Sequence, residues 1–373
     1  MHRPLTCTNA TTLFLKKIAS SLKDYFPTPD FRISSKMMQN CYTIHMEWII
    51  CHRSALEFWR KSSAREALAG KKMSANKLAL SPPNAEELRT NNPWGLSMPL
   101  HVLVGNSNAR KVSKSLVSHV GSGQFPHGSF IRVAPGLITS SPELCFMQSA
   151  SKLDIPRLVA LGLEFCGGYR LEKKNKPGRG FRDDAPLTSA EKLTAFVTKA
   201  AGLRGRTKAL RALRFIADNS GSPMETALVM MLTLPYSLGG YGLPMPLLNC
   251  PISVSTSNKK ATKKKKYRCD LYWPEAQVSV EYDSDTYHTG SDRIAKDAIR
   301  RNAISSAGVI VLVVSRKQVV STAELREVAI ALSKLLDKRL VLPMPKFIGR
   351  HALLRSQLLP TVPDEQGYGI SMT

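Results

Sequence analysis

Residues 267–288, YRCDLYWPEAQVSVEYDSDTYH, constrain the fold of this chain more than any other stretch. Two short runs of alternating character flank a Pro-Glu-Ala turn, the pattern of a β-hairpin. Side chains alternate faces along a strand, so Ser279, Glu281 and Asp283 share one face while Val278, Val280 and Tyr282 share the other. Pairing of the two runs brings Asp270 toward Glu281 and Asp283. Carboxylates crowded at the end of a sheet repel one another. A divalent cation with oxygen ligands, Mg²⁺ or Mn²⁺ rather than a soft metal, relieves that repulsion. Such an arrangement suits phosphodiester hydrolysis, where a metal neutralises phosphate charge and activates water.

The charge balance points the same way. Lys plus Arg outnumber Asp plus Glu 53 to 28, a net charge of +25. A surplus of this size favours a polyanionic partner, DNA in this reading, through phosphate neutralisation and counterion release. Six of the 53 basic residues lie just before the acidic hairpin, in KKATKKKK at 259–266. Lys263, Lys264, Lys265, Lys266 and Arg268 are the candidate backbone contacts there, joined by Arg300 and Arg301 on the basic segment that follows. Contacts of this kind position a duplex without reading its sequence. The same lysines also fit a solubilising loop. No P-loop, zinc finger or RNA-binding aromatic motif is present. Seven scattered cysteines without a CxxC pair suggest neither a zinc knuckle nor a disulfide framework. They point to a reducing, cytoplasmic compartment. No apolar run approaches the ~20 residues that span a bilayer.

The expected order of elements defines the fold class. Residues 1–45 read as a poorly ordered extension, with Met46 as an alternative start. A helix is expected over 48–62, a strand at 101–104, a short basic helix at 109–118, and two strands over 129–141 around Pro135-Gly136. Ser141-Pro142 opens a helix to about 152, and another follows from 154 to 166. The basic, Gly- and Pro-containing stretch 169–187 reads as a linker. Helices follow at 188–200, 205–218 and from Ser222-Pro223, with Glu225 in the first turn of the last. Then come an edge strand near 252–256, the acidic hairpin, a helix at 291–306, a buried strand at 308–314 and a helix at 322–337. The expectation is an α/β fold: a mixed β-sheet flanked by helices over 188–340, preceded by a smaller α+β domain at 46–168 and followed by a C-terminal tail at 341–373.

Helix–strand–strand–strand–helix–strand, with Asp on one strand and Glu-x-Asp on the next, resembles the PD-(D/E)xK restriction-endonuclease-like superfamily. DLYWPEAQVSVEYDSDTYH followed by a basic helix and GVIVLVV is similar to its branch related to very-short-patch mismatch endonucleases, over roughly residues 222–320. The resemblance implies an αβββαβ core and a Mg²⁺-dependent endonuclease. It makes Asp270 and Glu281 metal ligands and Glu225 the acidic residue directed at the metal from the first helix. Asp283 stands where the motif carries Lys and cannot supply its positive charge. Three outcomes remain open: His288 or Lys296 substitutes, the metal works alone, or the chain is a non-catalytic DNA-binding regulator. HGSFIRV (127–133) and SPELCFMQSA (141–150) resemble regions joined to such domains in AbiEi-type bacterial proteins, which implies a defence or toxin-antitoxin setting and a protein partner in it.

Overall fold

The structure, a computed structural model, describes residues 48–73, 82, 95–121, 124–134, 136–172, 180–258, 261–283, 291–343 and 345–359. They belong to one compact unit, Met46–Thr373. Its first layer is a six-stranded sheet in the order β2-β5-β6-β1-β3-β4. The strands are β1 (Trp48–Ile50), β2 (Lys71–Met73), β3 (Leu100–Val104), β4 (Leu116–Val120), β5 (Phe130–Ala134) and β6 (Leu137–Ser140). The pairs β1–β6 and β3–β4 are parallel and the others antiparallel. Helices α1 (His52–Trp59) and α2 (Pro142–Ala150) pack beside it, and α3 (Ile155–Phe165) packs on α2.

Two expectations are corrected here. Trp48–Ile50 is a strand rather than the start of a helix, because three consecutive apolar residues, all buried, sit between two neighbouring strands. Residues 109–118 form no helix. Leu116 and Ser118 are buried while Val117 and His119 are half-exposed, a period of two that belongs to β4.

Helix α3 starts as its sequence requires, with the Asp154 carboxylate accepting from Arg157 N at 3.0 Å. It stops at Gly167, where an added Cβ would lie 2.5 Å from the Leu163 carbonyl and 2.6 Å from that of Ser220. The stretch read as a linker contributes strands β7 (Tyr169–Leu171) and β8 (Phe181–Asp183), paired antiparallel. It carries almost no aliphatic residues, yet Tyr169 and Arg170 are buried. Arg170 is accommodated by donating to the carbonyls of Glu164 (2.6 Å), Gly167 (3.2 Å), Tyr169 and Ala185 (2.6 Å).

Helices α4 (Ala190–Lys199), α5 (Arg206–Leu213) and α6 (Pro223–Thr233) lead to the second sheet, β12-β11-β10-β9. Strands β9 (Leu247–Asn258), β10 (Ala261–Trp273) and β11 (Val278–Asp283) run antiparallel in sequence. Helix α7 (Ser291–Ser306) then crosses to β12 (Ile310–Ser315), which pairs parallel to β11. This is the mixed, helix-flanked α/β arrangement expected. Leu271, Trp273, Val278 and Val280 join the main core, which also holds α3, α6 and the first sheet. Cys269, Tyr272, Ile304 and Val309 form a smaller core under α7. Strand β12 is less buried than its run of valines suggests, Ile310 being 47% exposed, because it is the edge of the sheet.

Helices α8 (Arg316–Val320) and α9 (Thr322–Leu335) follow, and the stretch read as a tail contains α10 (Lys346–Leu358), with Phe347, His351 and Leu354 buried. Among the described residues no helix is long and apolar enough to cross a membrane.

Replacing Arg170 by Met should cost about 3 kcal/mol, since it strands several buried carbonyls. A urea midpoint unchanged from the parent chain would refute this account of the buried guanidinium.

Candidate functional site

The acidic residues are brought together by two elements of local structure. At the start of α6, the Ser222 side chain accepts from Glu225 N (3.2 Å), as the Ser-Pro-x-Glu pattern predicts. The Glu225 carboxylate turns back and accepts from Gly221 N (3.0 Å) and from Asn249 Nδ2 (2.7 Å). Asn249 reaches it from β9 with φ at +47°, a left-handed conformation that asparagine tolerates better than most residues.

In the β10–β11 hairpin, Leu271 opposes Val280, so Asp270 falls beside Glu281. The regular pairing ends there. The Asp270 carboxylate instead takes the Tyr282 N–H at 2.9 Å. Ser279, on the Glu281 side of β11, donates to Glu281 Oε1 at 2.8 Å. One nitrogen of Arg300, arriving from α7, lies 2.5 Å from Glu281 Oε2 and 4.0 Å from Asp270 Oδ1. The same nitrogen also donates to the Arg268 carbonyl. A single guanidinium nitrogen therefore reaches both carboxylates, which share one side of the hairpin as expected.

The electrostatics follow from this crowding. Burial, and next the charge of Asp270, push Glu281 up to about 7, against the pull of Arg300 and the Ser279 bond. Burial and then Asp270 likewise raise Glu225, with the Asn249 and Gly221 bonds opposing. Burial raises Asp270 itself, opposed by the Tyr282 N–H and by Arg300 and Arg268. The three carboxylates thus disfavour carrying full charge together, the condition that a bound cation reverses.

The other expected residues distribute as follows. Asp283 ends β11, exposed, in register with Ser315 of β12. His288 lies outside the described residues. Lys296 stands on α7, one turn before Arg300. Lys263, Lys264, Lys265 and Lys266 all lie on β10, paired with β9 from Thr256 to Ser253, rather than in a loop. Lys266 and Arg268 are exposed and Arg301 is half-buried. Arg300 is committed to the carboxylates instead of standing free for phosphate. Its role was missed in the sequence because Arg300 is adjacent to Arg301, and the two read alike until the helix is placed. Asn249 carried no signal at all.

A second cluster was also missed. Cys51, His52 and His119 bring their ligand atoms within 4.8 Å of one another and could hold a metal ion; among the described residues no acidic trio converges as closely. His101 joins them, its Nδ1 being 2.8 Å from Nε2 of His119. Burial first, then neighbouring histidines and cations, hold His52 down to about 3 and His119 down to about 4. No spacing motif announces this group, since strand pairing assembles it.

Comparison of the chain with family models, with curated proteins and with solved structures gave no match.

The raised Glu281 sets a pH dependence. A carboxyl whose folded pKa exceeds its unfolded value favours the folded state while protonated. That contribution is present below the unfolded value and is lost as pH rises through about 7. Moving from about pH 5 to about pH 8 should therefore remove roughly 2–3 kcal/mol. Glu281→Gln should flatten this slope in urea unfolding at the two pH values. An equal slope in both proteins would contradict the assignment.

Proposed function

We propose that the chain is a metal-dependent DNA endonuclease-like protein, with its site at Glu225, Asp270 and Glu281 on a restriction-endonuclease-like core. The observation that carries this reading is geometric: Asp270 and Glu281 share one side of the hairpin within reach of one Arg300 nitrogen, and the charge of Asp270 is felt at both Glu281 and Glu225. Hard, crowded oxygen donors fit a hard dication. Glu225, Asp270 and Glu281 would hold it, and Mg²⁺ or Mn²⁺ so bound supplies charge neutralisation at a phosphate and a more acidic water.

Arg300 is the group on this chain that replaces the cation missing at Asp283. It reaches the carboxylates from the helix after the hairpin, the element on which Lys296 also lies. A guanidinium stays protonated, so it offsets the charge of Glu281 and Asp270 and does not act as the base. The net charge of +25, with Lys266 and Arg268 exposed on the strand that carries Asp270, favours a nucleic-acid backbone over a neutral substrate. The resemblance to mismatch endonucleases and AbiEi-type regions makes bacterial defence or DNA repair the setting, in the cytoplasm.

One observation favours a second reading. Arg300 already neutralises Glu281 at 2.5 Å, as in a catalytically degenerate DNA-binding regulator that needs no metal.

Supercoiled plasmid incubated with the protein separates the two. The nuclease should nick it in Mg²⁺ or Mn²⁺ and stop in EDTA. Asp270→Asn should lower the rate by about 100-fold or more while leaving binding within a few-fold. Cleavage that survives EDTA or the Asp270→Asn change overturns the site. Salt-sensitive binding without turnover in either metal establishes the regulator.

A further inference from the structure

We infer that Cys51, His52 and His119 form a binding site for a borderline-soft divalent ion of the zinc type, with His101 as its positioning residue. The site is separate from the acidic cluster and does not rest on the nuclease reading.

Three adjacent strands build it. Antiparallel pairing of β1 with β3 sets Ile50 against Val102, and the next step has Cys51 N donating to the His101 carbonyl at 2.9 Å. Parallel pairing of β3 with β4 sets Leu103 beside His119, on the same side of the sheet as His101. The thiol and two imidazoles are thus delivered to neighbouring positions by backbone register alone. His52, the first residue of α1, completes the group. Its φ is +49°, a left-handed conformation that a non-glycine residue adopts only when its surroundings impose it. Here the constraint includes His52 N donating to Gln148 Oε1 (2.9 Å) and the His52 ring stacking on that of His119 with centroids 3.8 Å apart. Backbone strain is therefore maintained at the residue that turns its ring into the cluster.

The distances suit an ion. His52 Nδ1 lies 3.2 Å from Cys51 Sγ. Ligand atoms around a tetrahedral zinc-type ion stand roughly 3.3–3.8 Å apart; the three here lie within 4.8 Å of one another, and the stacked His52 and His119 rings must turn for their in-plane lone pairs to converge on the ion. His101 Nδ1 lies 2.8 Å from His119 Nε2; when Nε2 donates, the Nδ1 lone pair of His119 is left for the ion, the usual office of a residue behind a metal ligand. The donor set decides the class of ion. One sulfur and two nitrogens, near Lys152, Arg204 and Arg110, offer nothing to Mg²⁺ or Ca²⁺, whereas thiolate and imidazole suit zinc and its neighbours.

Cobalt(II) serves as the probe, added to the full chain after chelator treatment. One equivalent should produce a near-ultraviolet thiolate-to-cobalt band, bleached by Zn²⁺ and unaffected by excess Mg²⁺. The band should vanish in Cys51→Ser. His119→Ala, at a half-exposed position, should also lose tight binding, and carries the test if the buried serine variant fails to fold. His101→Gln should keep the band with affinity weakened about 10–100-fold. No band in the parent chain, or a band of unchanged strength and affinity in both Cys51→Ser and His119→Ala, overturns the site.

Discussion

A single buried carboxylate, Glu164 of α3, ties the end of α1 to β7 and so to the approach to the acidic site. Its side chain is 1% exposed and receives Arg60 through two bonds, 2.9 and 2.6 Å, while also accepting from Leu171 N. Burying such a carboxylate costs several kcal/mol and is tolerated only where the geometry satisfies its lone pairs, here with an Arg60 side chain that stays partly exposed. The Arg60 carbonyl accepts from Arg182 of β8, and Arg182 pairs with Asp184. From β7 the connection continues through the Tyr169 hydroxyl to Thr226 Oγ1 (2.8 Å), which also meets Ser220 Oγ (2.7 Å). Thr226 is the neighbour of Glu225. Polar contacts thus run from the end of α1 to the residue that faces the acidic hairpin.

Elements with strong local chemistry were legible in the sequence. The helix starts at Ser141, Asp154 and Ser222 are all capped as their residue types demand. The hairpin and its acids, the helix after it and the parallel strand that follows also agree with the pattern of the chain. What escaped was set by partners distant in sequence. Residues 109–118 look helical by their charge, yet Leu116 and Ser118 are buried by pairing with β3. Arg170 looks like linker, yet four carbonyls accept from it. The Cys51 cluster falls in this class too, because no local rule relates residues 51 and 119.

The two clusters differ in donor chemistry. Oxygen donors with raised proton affinity gather on the second sheet, and sulfur with nitrogen on the first. A hard ion suits only the oxygen set, and a borderline-soft ion is held better by the sulfur and nitrogen set. Sharing one chain therefore need not mean competing for one ion.

The parallel crossover from β11 to β12 has a consequence for the order of assembly. The antiparallel hairpin closes from neighbours in sequence, whereas Arg300 and the β12 partner arrive only with later residues. Non-local pairing is slow relative to local hairpin closure. A hairpin closed before α7 docks holds Asp270 and Glu281 together without their counter-charge, an imbalance that water must screen. Water solvates the pair while the edge is open, and closure by α7 and β12 withdraws it. The raised proton affinity of Glu281 therefore depends on the burial that α7 and β12 complete.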